Sequence, residues 1–528
     1  VSSESLIWLV EIEAYDETLP GIVTLRYSSD ETFYDDSLNE YTPRLLRPLT
    51  LTQALFNRFA TFGTSRTGVG EIALVNIDGD LDALDDYGFD GRAVRVLLGD
   101  PDDVYAGFEE VFVGTMDQAE FTYEEVRIRI RDKLALFDVP VTEAVFAGDN
   151  VGPTGVEGLP ETIGGQTKRR LWGRMRNLPA PLVNRSLLIY GVNWDKDGNR
   201  APVASFDEIR DRGVAITIAA DYADLASLQG ATIPNGQAAT CLAEGLFRME
   251  RVFGAITCDV TESATAADNR LPRLLERIIN DAGGTVQAGD VAALQATSDY
   301  EAGIWTQGQS YAQTLDRIAQ SDGCYYCGAR TGDQVFRLAR IEVPTATSVG
   351  TIFEADGDTP YLSNYFDIIE IERRATGDQG RGIPAAKVEV LWGPIGRLMS
   401  EGDLAGTITE NNPDLVEFYK VERRTAAVES ASVKTKHPLA PTLTFETQLY
   451  NEADAQTVAA RLSGIYSTRR QMFTVSIEVR SDLRSIVELG AVMDLRLDRW
   501  GLGASKKFLI VGAEYDASAF EYELTLWG

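Results

Sequence analysis

The sequence predicts a multi-domain, mainly β chain with an inserted α+β module. Its 528 residues, at roughly 100–200 per domain, allow three to five domains that each bury a core. Apolar runs of strand length, cut by Asp, Gly, Ser and Pro, fill both ends of the chain. Helical spacing is confined to the middle and to one later stretch.

The first 150 residues read as one β domain. Strand-length runs fall at 6–10, 21–27, 72–75, 94–98 and 110–113. The clearest is 126–131, where alternation sets Val126, Ile128 and Ile130 on one face and Arg127, Arg129 and Arg131 on the other. The arginine face suits either solvent or an acidic subunit contact. Residues 76–86 resemble a calcium loop, but an EF-hand needs Gly at position six and Glu at twelve. Counting from Asp78 gives Ala83 and Phe89, and from Asn76 gives Leu81 and Tyr87. The segment reads as an acidic turn.

Residues 151–185 read as a Gly/Pro-rich linker with a basic loop. Seven of the fifteen residues 151–165 are Gly or Pro, and Lys168, Arg169, Arg170, Arg174 and Arg176 follow. That cluster is either a solvated loop or a docking point for an acidic partner, conceivably another copy of the chain. It lacks the phosphate-loop frame. A β-rich segment covers 186–264 and a small α+β domain 265–345. There Leu271, Leu274, Leu275, Ile278 and Ile279 keep helical spacing up to Gly283-Gly284. A second helix carries Ala312, Leu315 and Ile318, and two short strands near 324–327 and 335–341 flank a turn at 330–333. Residues 346–445 alternate strands such as 387–392 with long loops. A helix at 453–466 and strands at 473–479, 492–497, 508–515 and 522–527 complete the final segment, 446–528.

The chain offers little catalytic vocabulary. One histidine, His437, lies in a turn-like polar stretch and builds neither a triad nor a zinc site. Of four cysteines, only Cys324 and Cys327 have C-x-x-C spacing. A soft-metal cluster needs about four ligands at paired spacings, so Cys241, Cys258, Cys324 and Cys327 read as small buried hydrophobes. No catalytic, metal or cofactor residue is assigned.

Charge narrows the function further. The 80 acidic against 49 basic residues give −31, which excludes a nucleic-acid-binding surface as the main role. Only 9 of the basic residues are Lys, as in marine or halophilic proteomes or in products of GC-rich genomes. A third reading is a channel wall past which a polyanion slides without sticking. No apolar run approaches the roughly 20 residues that span a bilayer, and no basic n-region precedes an apolar segment. A soluble chain is expected.

The two ends echo each other. Residues 91–96, a loop, 111–117 with Gly114, a turn and 126–130 parallel residues 490–495, a loop, 509–516 with Gly512, a turn and 522–526. Each copy reads as a three-stranded antiparallel unit whose Gly marks a possible bulge. The echo is either a chance likeness of β patterns or a pair of related β domains bracketing the α+β region.

At this point the sequence resembles the tail-tip or baseplate hub proteins of long-tailed, siphophage-like bacteriophages. The stretches that carry this are Gly68-Val-Gly-Glu-Ile-Ala-Leu-Val-Asn76 with 81–91, Leu171-Trp-Gly173 with 177–184, 245–248 with 254–260, and 489–495 with Trp500-Gly-Leu502, 508–512 and 524–528. The resemblance implies two tube-like antiparallel β-barrel or sandwich domains, at 1–150 and completed by 446–528, plus smaller α+β domains. It implies a homo-oligomer, typically a trimer, whose three pairs of tube-like domains meet a hexameric distal tail protein ring. It also implies a central tail fibre or other tail-tip proteins as partners, DNA only in transit through a gated exit channel, and no stable membrane insertion. Its place would be the virion tail tip, after synthesis in the bacterial host cytoplasm. In that family Cys258 corresponds to a small residue such as Ala. No hydrolase or fibre extension follows Trp527-Gly528, so no lytic role is expected. The alternatives are a hexameric distal tail protein, a carboxylate-based glycan hydrolase of the tail tip, and a sugar receptor using Trp194 and Trp305.

Overall fold

The computed structural model describes residues 6–16, 21–57, 59–150, 154–329, 334–354, 364–378, 381–478 and 487–528. The expected turn at 330–333, the first three linker residues and Val479 lie outside these. The fold is mainly β, as expected, with a closed six-stranded barrel and several further sheets. The chain divides into two compact units: 1–136, 325–384 and 468–528 form the first, and 137–324 with 385–467 the second. The expected segments 265–345 and 346–445 are thus each shared between units. The helix expected to accompany the C-terminal strands falls in unit 2. Among the described residues, no helix is long and apolar enough to cross a membrane.

Among the described residues, the main path of the large sheet in unit 1 runs through thirteen strands: β1 (Ile7–Asp16), β2 (Gly21–Ser28), β3 (Leu45–Ala54), β4 (Arg66–Val75), β5 (Ala93–Gly99), β6 (Glu109–Phe121), β7 (Glu125–Arg131), β8 (Gly350–Phe353), β9 (Tyr365–Arg374), β10 (Met472–Glu478), β11 (Val492–Arg496), β12 (Lys506–Asp516) and β13 (Glu521–Trp527). Their order is β2-β1-β5-β6-β7-β4-β3-β12-β11-β8-β9-β10-β13, and β13 returns to pair with β12 and close the barrel. The alternation of β7 comes out as read: Val126, Ile128 and Ile130 are buried. They belong to one core that runs on into Phe473, Phe508 and Leu524 of the C-terminal strands. Each such side chain contributes about 1.5–3 kcal/mol on full burial.

The echo extends further than three strands. The adjacencies β5–β6, β6–β7, β7–β4 and β4–β3 recur as β11–β12, β12–β13, β13–β10 and β10–β9, in the same chain order and all antiparallel. The sixth strand differs. β1 runs antiparallel to β5, whereas β8 runs parallel to β11 and to β9 and so closes the second copy. The two copies join directly, β3 pairing β12 from Thr50–Asp516 to Ala54–Gly512.

The two echoed glycines are not equivalent. Gly512 follows the bulged Val511, while Gly114 lies between irregularities on both sides of β6. A Cβ on Gly114 would run into the Arg131 carbonyl oxygen and the Phe112 ring. Gly114→Ala is therefore expected to lower stability by about 1–3 kcal/mol, read as a lower midpoint in thermal melts.

Unit 2 holds two five-stranded sheets. One runs Val214–Ile216, Ser205–Asp211, Ile256–Thr261, Arg170–Leu178, Gly303–Thr306; the other runs Leu182–Asn184, Ile189–Gly191, Leu246–Met249, Ala238–Cys241, Ile218–Asp221. The expected helices form as Leu271–Asp281, Tyr311–Ala319 and Glu452–Tyr466, the second started by a Ser310/Gln313 capping box. The last packs on the sheet of Arg424–Glu429, Lys387–Trp392 and Thr442–Glu446. The described part of the expected linker is no loose tether: Val156 is buried and Ile163 packs against the cluster around Trp194.

Candidate functional site

The pleat puts Arg127, Arg129 and Arg131 on the face of β7 opposite the core. Strand register carries this face across the junction in two rows. One row is Glu478, Glu521, Asp516, Thr50, Glu71, Arg129; the other is Ser476, Glu523, Glu514, Thr52, Val69, Arg131. All of these but Glu478 line an open groove of about 660 Å³.

The two halves of this face differ in neutralisation. In the N-terminal half four arginines each meet a carboxylate: Arg127 pairs with Glu125, Arg129 with Glu120 at 2.6 Å, Arg131 with Asp117 at 4.0 Å, and Arg47 with Glu71 at 3.2 Å. In the C-terminal half Glu478, Glu514, Asp516, Glu521 and Glu523 have no cation within ion-pair distance among the described residues. They also stand opposite one another: Glu514 faces Glu523, and Asp516 and Glu478 both face Glu521. Like charges directly opposite destabilise a ladder by a few tenths to about 1 kcal/mol per pair. The sequence reading did not single out these carboxylates. Their signal was present, as acids alternating with Tyr515, Tyr522 and Leu524 along two strands, but the pairing between strands was not.

Of the basic cluster in unit 2, Arg170, Arg174 and Arg176 lie on the strand Arg170–Leu178, and Lys168 and Arg169 precede it outside regular structure. Lys168, nearly buried, reaches Glu157 at 3.0 Å and the Gly198 carbonyl at 3.1 Å. Arg169 donates to Gln307 at 3.0 Å and lies 4.1 Å over the Trp305 ring; burial lowers its pKa. Arg170 reaches Asp281 at 3.4 Å, and Arg174 meets Asp207 at 3.1 Å and Glu301 at 3.7 Å. Arg176 donates to the Tyr450 carbonyl at 2.7 Å. All five are thus engaged within unit 2.

Trp194 is buried, and the half-buried Trp305 donates to the Val192 carbonyl at 2.8 Å beneath Arg169, so neither offers a bare ring to a sugar. All four cysteines are buried; burial pushes Cys241 up to about 11 and raises Cys258 well above its ordinary value. Among the described residues no group of three or more His, Cys, Asp or Glu could hold a metal. His437 caps the short helix Ala431–Lys436, where a turn was expected.

The acidic turn at 76–86 is organised by side chains of the chain itself. Asn76 bridges Asp82 and the Leu81 amide, and Arg44 donates two 2.8 Å bonds to Asp78. Those bonds hold the Asp78 carboxylate down at about 2, from an ordinary 3.8. The pairing is therefore complete above the ordinary value and is lost as pH falls through about 2. Carbon-detected NMR titration is expected to place Asp78 near 2, and near 3.8 in Arg44→Gln.

No family model matches the chain, and no curated protein matches it. Among solved structures, the neighbours are phage tail proteins. A tail protein from Neisseria meningitidis MC58 aligns over 99% of this chain and 96% of its own, at 10% identity and a TM-score of 0.44. The 43 kDa tail protein of prophage MuSo2 from Shewanella oneidensis covers 98% of each chain, at 10% identity and a TM-score of 0.42. A chain of a native gene transfer agent virion covers 69% of this chain and 85% of its own, at 15% identity and a TM-score of 0.38.

Proposed function

We propose that the chain is a structural, non-enzymatic subunit of a phage-type tail tip, resident in the virion and assembled as a ring of three copies around a channel for DNA. The observation that carries this reading is the internal duplication. Two β units of the same strand order lie edge to edge in one sheet, so three copies supply six such units to a hexameric tube. The tail-tip-like stretches 68–76, 177–184 and 489–495 support the same assignment. A distal tail protein ring above and a fibre or other tip protein below are the partners it calls for. The unneutralised carboxylates of β10, β12 and β13 suit a wall facing DNA, because they repel phosphates within about 8–10 Å at moderate salt.

Electron microscopy of particles carrying a tagged chain tests the assignment: a ring at the tail tip is expected, and a tag confined to the head, or missing from particles, overturns it. The channel has its own test. Replacing Glu514, Glu521 and Glu523 together by Lys is expected to leave particles assembled but to slow DNA release several-fold, an effect that fades at high salt. Unchanged release kinetics would remove these residues from the wall.

A further inference from the structure

Within unit 2, Arg176 on the strand Arg170–Leu178 and Arg424 on Arg424–Glu429 converge at Gly393. A Cβ at 393 would lie 3.7 Å from the Nη1 of each. Gly393 has φ 61°, a left-handed turn that glycine makes without strain. The segment it opens runs along the arginine strand: Arg176 bridges to Ile395, and the Gly396 amide donates to the Arg176 carbonyl at 2.9 Å.

Each guanidinium is held flat and half-buried. Arg176 lies 3.4 Å from the Tyr450 ring centroid and donates to the Tyr450 carbonyl at 2.7 Å. Arg424 lies 3.5 Å from the Phe418 centroid and donates to the carbonyls of Gly393, at 2.5 Å, and Phe418. Ring faces and carbonyls fix the planes of both groups without cancelling their charge. Several N–H donors remain on each.

What separates these two from the arginines beside them is the missing counter-charge. Arg174, two residues from Arg176, takes Asp207 and Glu301; Arg423, beside Arg424, takes Glu446 at 2.9 Å. Arg176 and Arg424 have no carboxylate within ion-pair distance among the described residues, in a chain of net charge −31. Burial, and secondly the neighbouring Arg176, lower Arg424 to about 10. Two like charges held together out of water are costly unless an anion joins them.

We propose that Arg176 and Arg424 form a binding site for one oxyanion, a carboxylate or phosphate group, bridged between their guanidinium groups. Planar, preset forks are the geometry in which arginine binds either group. The assignment does not depend on the tail-tip reading.

The test follows the thermal midpoint and the light-scattering mass of the full chain at pH 7 as sodium phosphate replaces sodium chloride at constant ionic strength. A free anion as natural ligand gives saturable stabilisation with no change of mass. A carboxylate from a second copy as natural ligand gives a mass that falls as phosphate competes. In either case Arg176→Gln and Arg424→Gln are expected to weaken the phosphate response at least about tenfold, while Arg185→Gln, at an exposed arginine, leaves it intact. Arg424→Lys, which keeps charge but loses the fork, should give an intermediate phosphate response. A wild-type chain that responds in neither midpoint nor mass, or variants that respond equally, would overturn the proposal.

Discussion

Replacing Asp259 with alanine is expected to cost about 3–5 kcal/mol, because it strands a buried guanidinium. Arg210 and Asp259 sit on neighbouring strands, with side chains 8% and 13% exposed. Their two bonds, 2.6 and 2.7 Å, form a parallel fork. Asp259 also accepts from the Asn177 amide at 2.8 Å, so the truncation orphans a second donor. The carboxylate drives the Arg210 pKa upward against the opposing pull of burial. Glu208 also contacts Arg210, but from an exposed position. Asp259→Asn keeps the acceptor and loses the charge, so a smaller loss is expected. Hydrogen exchange of Ser205–Asp211 and Ile256–Thr261 checks both: protection should fall most in the alanine variant. Unchanged protection there would mean that the pair does not hold these strands.

Arg461→Met is expected to have a comparable effect, about 3–5 kcal/mol, for the mirror-image reason. Asp322 is fully buried and lies 139 residues from Arg461. It accepts from Arg461 at 3.0 and 2.8 Å and from Ser298 at 2.5 Å. The arginine thus ties helix Glu452–Tyr466 to the turn after Tyr311–Ala319 and to the end of Asp290–Ser298. Removing the guanidinium takes the charge-assisted bonds from a buried carboxylate. Arg461→Lys keeps one charge-assisted bond and should lose less. Chemical denaturation with fluorescence detection reads the difference; equal stability of all three proteins would contradict it.

Local pattern made much of this fold readable. Alternation located β7, and helical spacing located the helices at 271, 311 and 452 because each presents one apolar stripe. The echo was visible where its strands are consecutive, from β5 to β7 and from β11 to β13. Its other members were hidden. β3 and β4 precede β5 through irregular loops, and β9 and β10 are separated by residues 385–467 of unit 2, so only pairing reveals their equivalence. The charged sites divide in the same way. The arginines of β7 and of 168–176 were found by composition, but whether an arginine is neutralised depends on partners such as Asp207, Asp281 and Glu301, which spacing cannot supply. The carboxylate rows exist only because distant strands come into register, and Arg424 meets Arg176 only through the turn at Gly393.

The central claim is that a duplicated β unit lets three copies serve a sixfold tube. Native mass measurement of the assembled ring, released from particles or formed from purified chain, tests it most directly. Three times the 57.9 kDa chain mass is the expected result; a chain that stays monomeric at all concentrations and in particles, or a ring of six, would contradict it.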